Sequence, residues 1–298
     1  MVDTGSFIII LTIWRARNYS KRYVFSGRIT RSRIMRRLIL FYALVFLIST
    51  LACGPRYKDA QMTEELLTLT SGPCESDTAS CMEMKLSYFL LTPVSDTAFQ
   101  HVNTQILEAL KSTLSFEKPD DPDITLDQLA RKSISDFTTI LEEFPNQKAR
   151  WTQESTLELL YNNGLVLTVR LDEYSYLGGA HPNQFSTLMT FDLFTGEQLD
   201  VLPMIIDDFS GFQELAEQSF RAEKGIDAEQ NLNEAGYFWD QQFSLPQNAG
   251  IVENGILLYY NTYEVAPYVS GPTTLIFEWD SIRHLVDKEI LETLGINH

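Results

Sequence analysis

Only four histidines and three cysteines occur in 298 residues, so the softer metal ligands are scarce. There is no His-Glu-x-x-His pattern. Cys74 and Cys81 form no tight Cys-x-x-Cys clip and have no histidine beside them, so no metal or other cofactor is expected. No Gly-x-Ser-x-Gly elbow frames Ser175 or Ser270, and the signature of a serine hydrolase is missing. Positive charge is also short: 23 Lys+Arg stand against 40 Asp+Glu, a formal net charge of -17. The imbalance is uneven. Nine basic residues and one acid, Asp3, precede Cys53, which leaves 14 basic and 39 acidic residues in the remainder. A body so acidic cannot neutralise a phosphate backbone, which excludes nucleic acid as a partner. Anionic lipid headgroups would repel it unless something else anchored it. No apolar run reaches the roughly 20 residues of a membrane-spanning helix, and no internal repeat or low-complexity tract occurs.

What is present begins with an address. Met35-Arg36-Arg37 precedes the apolar run Leu38–Ile48, and Ser49-Thr50-Leu51-Ala52 leads to Cys53. A charged start, a short apolar stretch and small residues are the layout of a secretory signal. With a cysteine directly after Ala52, it resembles a bacterial lipoprotein signal peptide, although Thr50 stands where that pattern usually has Leu. The resemblance implies that residues 35–52 are removed and that Cys53 is acylated, anchoring the protein to a lipid bilayer at the cell envelope. An uncleaved signal anchor is the alternative. Residues 1–34 hold a second apolar patch, Phe7–Trp14, and a basic run, but no pattern that builds a domain. They read as an upstream extension ahead of a true initiator at Met35, or as a short cytoplasmic tail of a two-part anchor.

With Cys53 acylated, Cys74 and Cys81 are left as an even pair in an exported chain. They are expected to close a disulfide over a short loop, with free thiols as the alternative. The stretch 53–82 otherwise reads as a polar tether. Beyond it, Met84–Leu91 reads as a strand stopped by Thr92-Pro93. Phe99, Val102, Ile106, Leu107, Leu110 and Leu114 share one helical face. Asp120-Asp121-Pro122-Asp123 is a turn, and Thr125 with Gln128 makes a capping box for a second helix running to Pro145. The period then falls to two. Thr156–Tyr161 and Leu165–Tyr176 flank Asn162-Asn163-Gly164, a hairpin signal, and Phe185–Phe194 follows as a third strand. Ser210 with Gln213 should cap a helix ending at Gly225. Strands are expected at Gly255–Asn261 and Thr273–Trp279, and a last helix from Ser281 to Leu294. Strands and helices are segregated, which predicts an α+β fold: an antiparallel β-sheet with helices packed on it, following the N-terminal lipoprotein signal segment. The body divides into an N-terminal α+β part, residues 83–200, and a C-terminal part, residues 201–298.

Two segments go beyond this general pattern. The first is Tyr174-Ser175-Tyr176-Leu177-Gly178-Gly179-Ala180-His181-Pro182-Asn183, followed by Thr190-Phe191-Asp192-Leu193-Phe194-Thr195-Gly196. The second runs from Asn254 through Tyr259-Tyr260-Asn261-Thr262-Tyr263-Glu264-Val265-Ala266-Pro267-Tyr268-Val269-Ser270-Gly271. Their order and spacing resemble the RsiV-like extracytoplasmic domain family, that is, domain of unknown function 3298 with its N-terminal companion domain. This module also precedes PdaC-type polysaccharide deacetylases. The resemblance covers about Met82 to Leu285, with Leu177 in place of the commoner Thr and Val265 in place of Ile. It implies a stand-alone envelope lipoprotein that binds or senses a protein or a glycan. Because one branch of the family senses lysozyme, a lysozyme-like partner is among those implied.

The candidate residues can be read in two ways. His181 could serve a ligand or a base, but Gly178, Gly179 and Pro182 around it describe a tightly specified turn. Asn183 closes the same turn. Tyr263 and Tyr268, with Tyr259 and Tyr260, could stack on sugar rings or anchor a protein partner, or could pack a sheet edge. Pro267 cannot donate a ladder hydrogen bond, so Tyr263–Gly271 should lie at an edge or rim. A net of 39 acids over 14 bases favours a cationic partner. The alternative function is a cell-wall carbohydrate hydrolase with a carboxylate pair. Its sequence candidates are Glu142-Glu143 and Asp207-Asp208, although adjacent acids on a helix usually point apart. Asp120–Asp123 lacks the glycine and distal glutamate of a calcium loop.

Overall fold

The computed structural model describes residues 58–75, 80–114, 121, 123–144, 149–239 and 242–296. Cys53, the signal segment and residues 1–34 lie outside the described residues. All described residues belong to one unit, Pro55–His298.

Five strands form the larger sheet in chain order: β1 (Gln61–Thr70), β2 (Cys81–Thr92), β3 (Arg150–Asn162), β4 (Val166–Tyr176) and β5 (Asn183–Asp192). The sheet is antiparallel except between β2 and β3, which run parallel. A parallel pair needs a long crossover. Here two helices supply it, α1 (Thr97–Leu114) and α2 (Leu126–Glu143). Asp96 opens α1 by accepting hydrogen bonds from the backbone N–H of Ala98 and Phe99 at 3.0 and 3.2 Å. The Lys58 ammonium beside it, 2.8 Å away, holds the Asp96 carboxyl below its usual range. Thr125 and Gln128 form the expected capping box of α2. Val102, Ile106 and Leu110 of α1 and Phe137 of α2 pack on Met84, Leu86, Leu167, Val169 and Leu171 of the sheet to make one core.

A second core lies beyond. The smaller antiparallel sheet contains β6 (Ala249–Val252), β7 (Gly255–Tyr260) and β8 (Thr273–Glu278). Helices α3 (Val201–Ile205), α4 (Phe209–Lys224), α5 (Trp279–Ile282) and α6 (Lys288–Thr293) surround it. Phe212, Phe220, Tyr260, Phe277 and Ile282 are fully or almost fully buried there. Strand β6 lies on the larger sheet: a Cβ on Gly250 would come within 3.0 Å of the Thr168 side chain. The larger sheet is thus covered by α1 and α2 on one face and by the smaller sheet on the other, the α+β arrangement expected.

Five local expectations need correction. Gln61–Thr70, expected as tether, is edge strand β1; it half-buries only Met62, Leu67 and Leu69, opposite Leu91, Leu86 and Met84, so its apolar period is faint. Strand β6 was not expected, being four residues long and interrupted by Gly250. The last helix is broken in two. Leu285 O accepts from the N–H of Asp207 and Asp208, and Val286 bridges Ile206, so this segment pairs outside a helix until Asp287 caps α6. The cap of α4 is Asp208, whose carboxylate accepts from Gly211 N–H at 3.0 Å, and Ser210 lies inside the helix. By helical spacing Phe144 belongs on the apolar face of α2 with Leu126, Leu129 and Phe137, but at the helix end it is exposed.

Cys74 and Cys81 are joined by a disulfide, with Cα atoms 5.4 Å apart. It ties the loop after β1 to the first residue of β2.

Candidate functional site

The β4–β5 hairpin reverses through Leu177–Pro182. Gly178 and Gly179 take φ values of 89° and 117°, a region that side chains other than glycine rarely enter. This turn projects His181 from the sheet end. Its Nδ1 lies 3.0 Å from the carbonyl oxygen of Pro182, which can only accept, so Nδ1 carries a proton. In the neutral ring Nε2 is then the acceptor, and the Tyr263 hydroxyl donates to it at 3.1 Å. Tyr268 stacks on the same imidazole, with centroids 4.0 Å apart and planes at 23°. Tyr263 and Tyr268 lie 5.7 Å apart, so the three rings form one cluster.

The second segment reaches this point because two amides clamp the free edge of β5. Asn261 accepts from Ser186 N–H at 2.7 Å and donates to Ser186 O at 3.0 Å. Asn248 accepts from Leu188 N–H and donates to Ser186 O, both at 2.7 Å. An open strand edge invites unwanted pairing, and these side chains satisfy it. Ser186 in turn donates to Asp172, which also holds Arg170, and Arg170 reaches Glu158. Past the clamp, Glu264 accepts from Asn261 N–H at 2.8 Å and closes a tight turn. The turn forces Tyr263 to a φ of 71°, an unusual conformation for a bulky residue that costs about 1 kcal/mol or more. Val265 plugs the second core, Ala266 after it is also buried, and Pro267 leads into a 3-10 turn, Tyr268–Ser270. Gly271 ends that turn at φ 63°, ψ −171°, a conformation essentially reserved for glycine. Tyr263 is half exposed, and Val269, which follows Tyr268 in the chain, is 91% exposed.

A separate cleft of about 610 Å³ opens between α1, α2 and strands β3 and β4. Trp151 forms its wall, backed by buried Phe137 with ring centroids 4.9 Å apart. Thr113 and Ser155 share a hydrogen bond of 2.9 Å along one side, and Gln153 donates to Thr113 O. Glu173 lies directly across the strand pair from Ser155. Burial without a compensating donor pushes its carboxyl up to about 7.

The matching stretch of sequence now has a structural meaning. Residues 192–280 match the family model described as Protein of unknown function (DUF3298). The chain carries a DUF3298 domain. A crystal structure of a member of that family from Bacteroides fragilis NCTC 9343 is similar, with a TM-score of 0.63 and 16% identity; the match covers 82% of this chain and all of that one. A DUF3298 family protein from Pseudomonas aeruginosa PAO1 has a TM-score of 0.57 and 14% identity, covering 78% of this chain and 97% of that one. At such identities the likeness is one of fold. No curated protein matches the chain.

The DUF3298 match contains Tyr263, Pro267, Tyr268 and Gly271, whereas His181 and Asn183 precede it on the β4–β5 hairpin. The ring cluster therefore joins the DUF3298 domain to the strands before it. Asn183 begins β5, paired in register with Ser175. Pro267 and Gly271 shape the turn that carries Tyr268. Asn261, Asn248 and Glu264, which set the cluster in place, were not singled out from the sequence. An amide directly after the apolar run Ile256–Tyr260 is the signal that could have found Asn261. Tyr259 and Tyr260 stay in β7; Tyr260 is buried and donates to Ser244 O. Of the acid pairs, Glu142 and Glu143 are exposed on α2, and Asp208 is spent as a helix cap. Asp120 and Pro122 lie outside the described residues, but Asp121 accepts from Asp123 N–H as in a capped turn. Among the described residues, no group of three or more His, Cys, Asp or Glu could hold a metal ion. No described helix is long and apolar enough to cross a membrane.

Proposed function

We propose that this chain is a cell-envelope lipoprotein, anchored to a bilayer through acylated Cys53, whose DUF3298 domain serves as a non-catalytic binding or sensing module. Its partner is a cationic envelope protein or a glycan. The observation that carries the reading is the ring cluster of His181, Tyr263 and Tyr268, in which two sequence motifs about 80 residues apart converge at an exposed edge. Exposed, rigid aromatic rings with a polar tip are the groups that anchor protein partners and stack on sugars. A bulky residue kept at positive φ in that cluster supports a role beyond packing. The acidic balance favours partners of opposite charge and speeds their encounter at low salt. The family resemblance adds lysozyme-like proteins to the partners worth testing.

The test uses lysozyme, and the partner recovered from envelope extract, against wild type and Tyr268→Ala in a chain shown to be folded. Binding should weaken roughly tenfold or more in the variant, and should weaken with added salt in the wild type. Equal binding by both proteins at low and high salt overturns the proposed surface. Release of reducing ends from cell-wall glycan would instead favour the hydrolase alternative.

A further inference from the structure

The cleft between α1, α2 and strands β3 and β4 reaches Leu177 of the hairpin turn but shares no lining residue with the three stacked rings, and its reading does not rest on the function proposed for them. Its volume of about 610 Å³ falls within the range of small-molecule sites, and its walls mix an aromatic platform with a few convergent polar groups. The charges along it have one sign: Asp136, Glu154 and Glu173 contribute to the lining, and no lysine, arginine or histidine does. Asp136 is already paired with Lys132 along α2, and Lys111 of α1 is paired with Glu108. Glu154 is exposed and lies on the strand next to Glu173, paired in register with Tyr174. Asp172, which neighbours Glu173 in sequence, is held by Arg170 and Ser186. Glu173 has no such partner: no hydrogen-bond donor or cation meets its carboxyl among the described residues. A half-buried carboxyl lacking a counter-ion, facing a cavity walled by an indole, is complementary to an ammonium group on an apolar body.

We infer that this cleft is a binding site for a small organic cation, an amine with an apolar or aromatic body. Glu173 is its counter-ion, and Trp151 the ring on which that body lies. A cation binds only the ionised carboxyl, so binding draws the proton off Glu173 and strengthens as pH rises.

The test is calorimetric titration of the full chain with phenethylammonium, with phenethyl alcohol as the uncharged counterpart. The amine should bind one to one near pH 8 and about thirtyfold more weakly near pH 5.5, as Glu173 takes up its proton. Near pH 7, buffers of different ionisation heat should reveal about half a proton released per amine bound. Glu173→Gln should weaken the amine roughly tenfold or more and abolish the proton release. Trp151→Leu should also weaken binding but leave the proton release intact. The inference is overturned if the alcohol binds as tightly as the amine, if Glu173→Gln binds as the wild type does, or if the amine does not bind at millimolar concentration. Circular dichroism of each variant separates loss of the site from loss of the fold.

Discussion

A carboxyl that loses water without gaining a donor resists ionisation, and at Glu173 this has a consequence for stability. Its folded-state value is raised from 4.5 to about 7 by burial. Between those values the folded chain binds more protons than the unfolded one, so stability falls as pH rises through this window, and the penalty is complete above about 7. Glu173→Gln should therefore leave the melting temperature nearly unchanged near pH 5. Near pH 8 it should stabilise by about 1–2 kcal/mol, once the full shift is discounted for solvent reaching the open cleft. Thermal melts of both proteins at the two pH values decide it, and an equal difference at both would show that the carboxyl is not desolvated. Tyr263 offers the opposite case. Tyr263→Gly removes the backbone strain but adds unfolded-state freedom and deletes a ring. Folding stability should stay within about 1 kcal/mol of wild type, while partner binding is lost with the hydroxyl that orients His181.

Among the elements, the edge of β5 and the entry to β2 carry the sharpest expectations. Asn261 is 5% exposed and serves both backbone groups of Ser186. Asn261→Ala leaves the Ser186 N–H buried without a partner, while Ser186 O keeps the Asn248 amide, which should cost roughly 1–3 kcal/mol. Chemical denaturation should show this as a lowered midpoint with an unchanged slope. Reduction of Cys74–Cys81, which closes a short loop, should cost about 2–3 kcal/mol on the chain-entropy estimate, read as a lower melting temperature in reductant. The elements themselves were legible in proportion to how much they bury on one face. Helices α1 and α2 and the β3–β4 hairpin were read from apolar period, the Thr125–Gln128 box and Asn163-Gly164. Strand β1 escaped because an edge strand half-buries few side chains, and β6 because four residues hold no period. The break before α6 depends on pairing with Ile205–Asp208, some 80 residues earlier, which no local signal encodes. The same distance explains the sites. His181, Tyr263 and Tyr268 each stood out, but their convergence rests on Asn248 and Asn261. The cleft was not seen at all, because Thr113, Gln153 and Glu173 meet only after the crossover brings β3 beside β2.

Across the whole molecule, charge decides what can and cannot hold the protein to a membrane. The 39 acids and 14 bases from Cys53 onward oppose adsorption to anionic lipid, and no described helix is long and apolar enough to span a bilayer. If the chain is held at the envelope, the acyl chains proposed on Cys53 must supply the attraction. Two or more acyl chains give stable anchoring where one gives only marginal binding. This separates hydrophobic from electrostatic attachment in one fractionation. Wild-type protein should sediment with membranes, stay there in about 1 M salt, where ionic contacts are screened within a few ångströms, and leave in detergent. Cys53→Ala should remain in the soluble fraction at every salt concentration, with the ring cluster intact and lysozyme binding unchanged. Membrane attachment of Cys53→Ala that persists in high salt would reject the lipid anchor and favour an uncleaved apolar segment. Attachment that disappears with salt would point to the basic residues before Cys53.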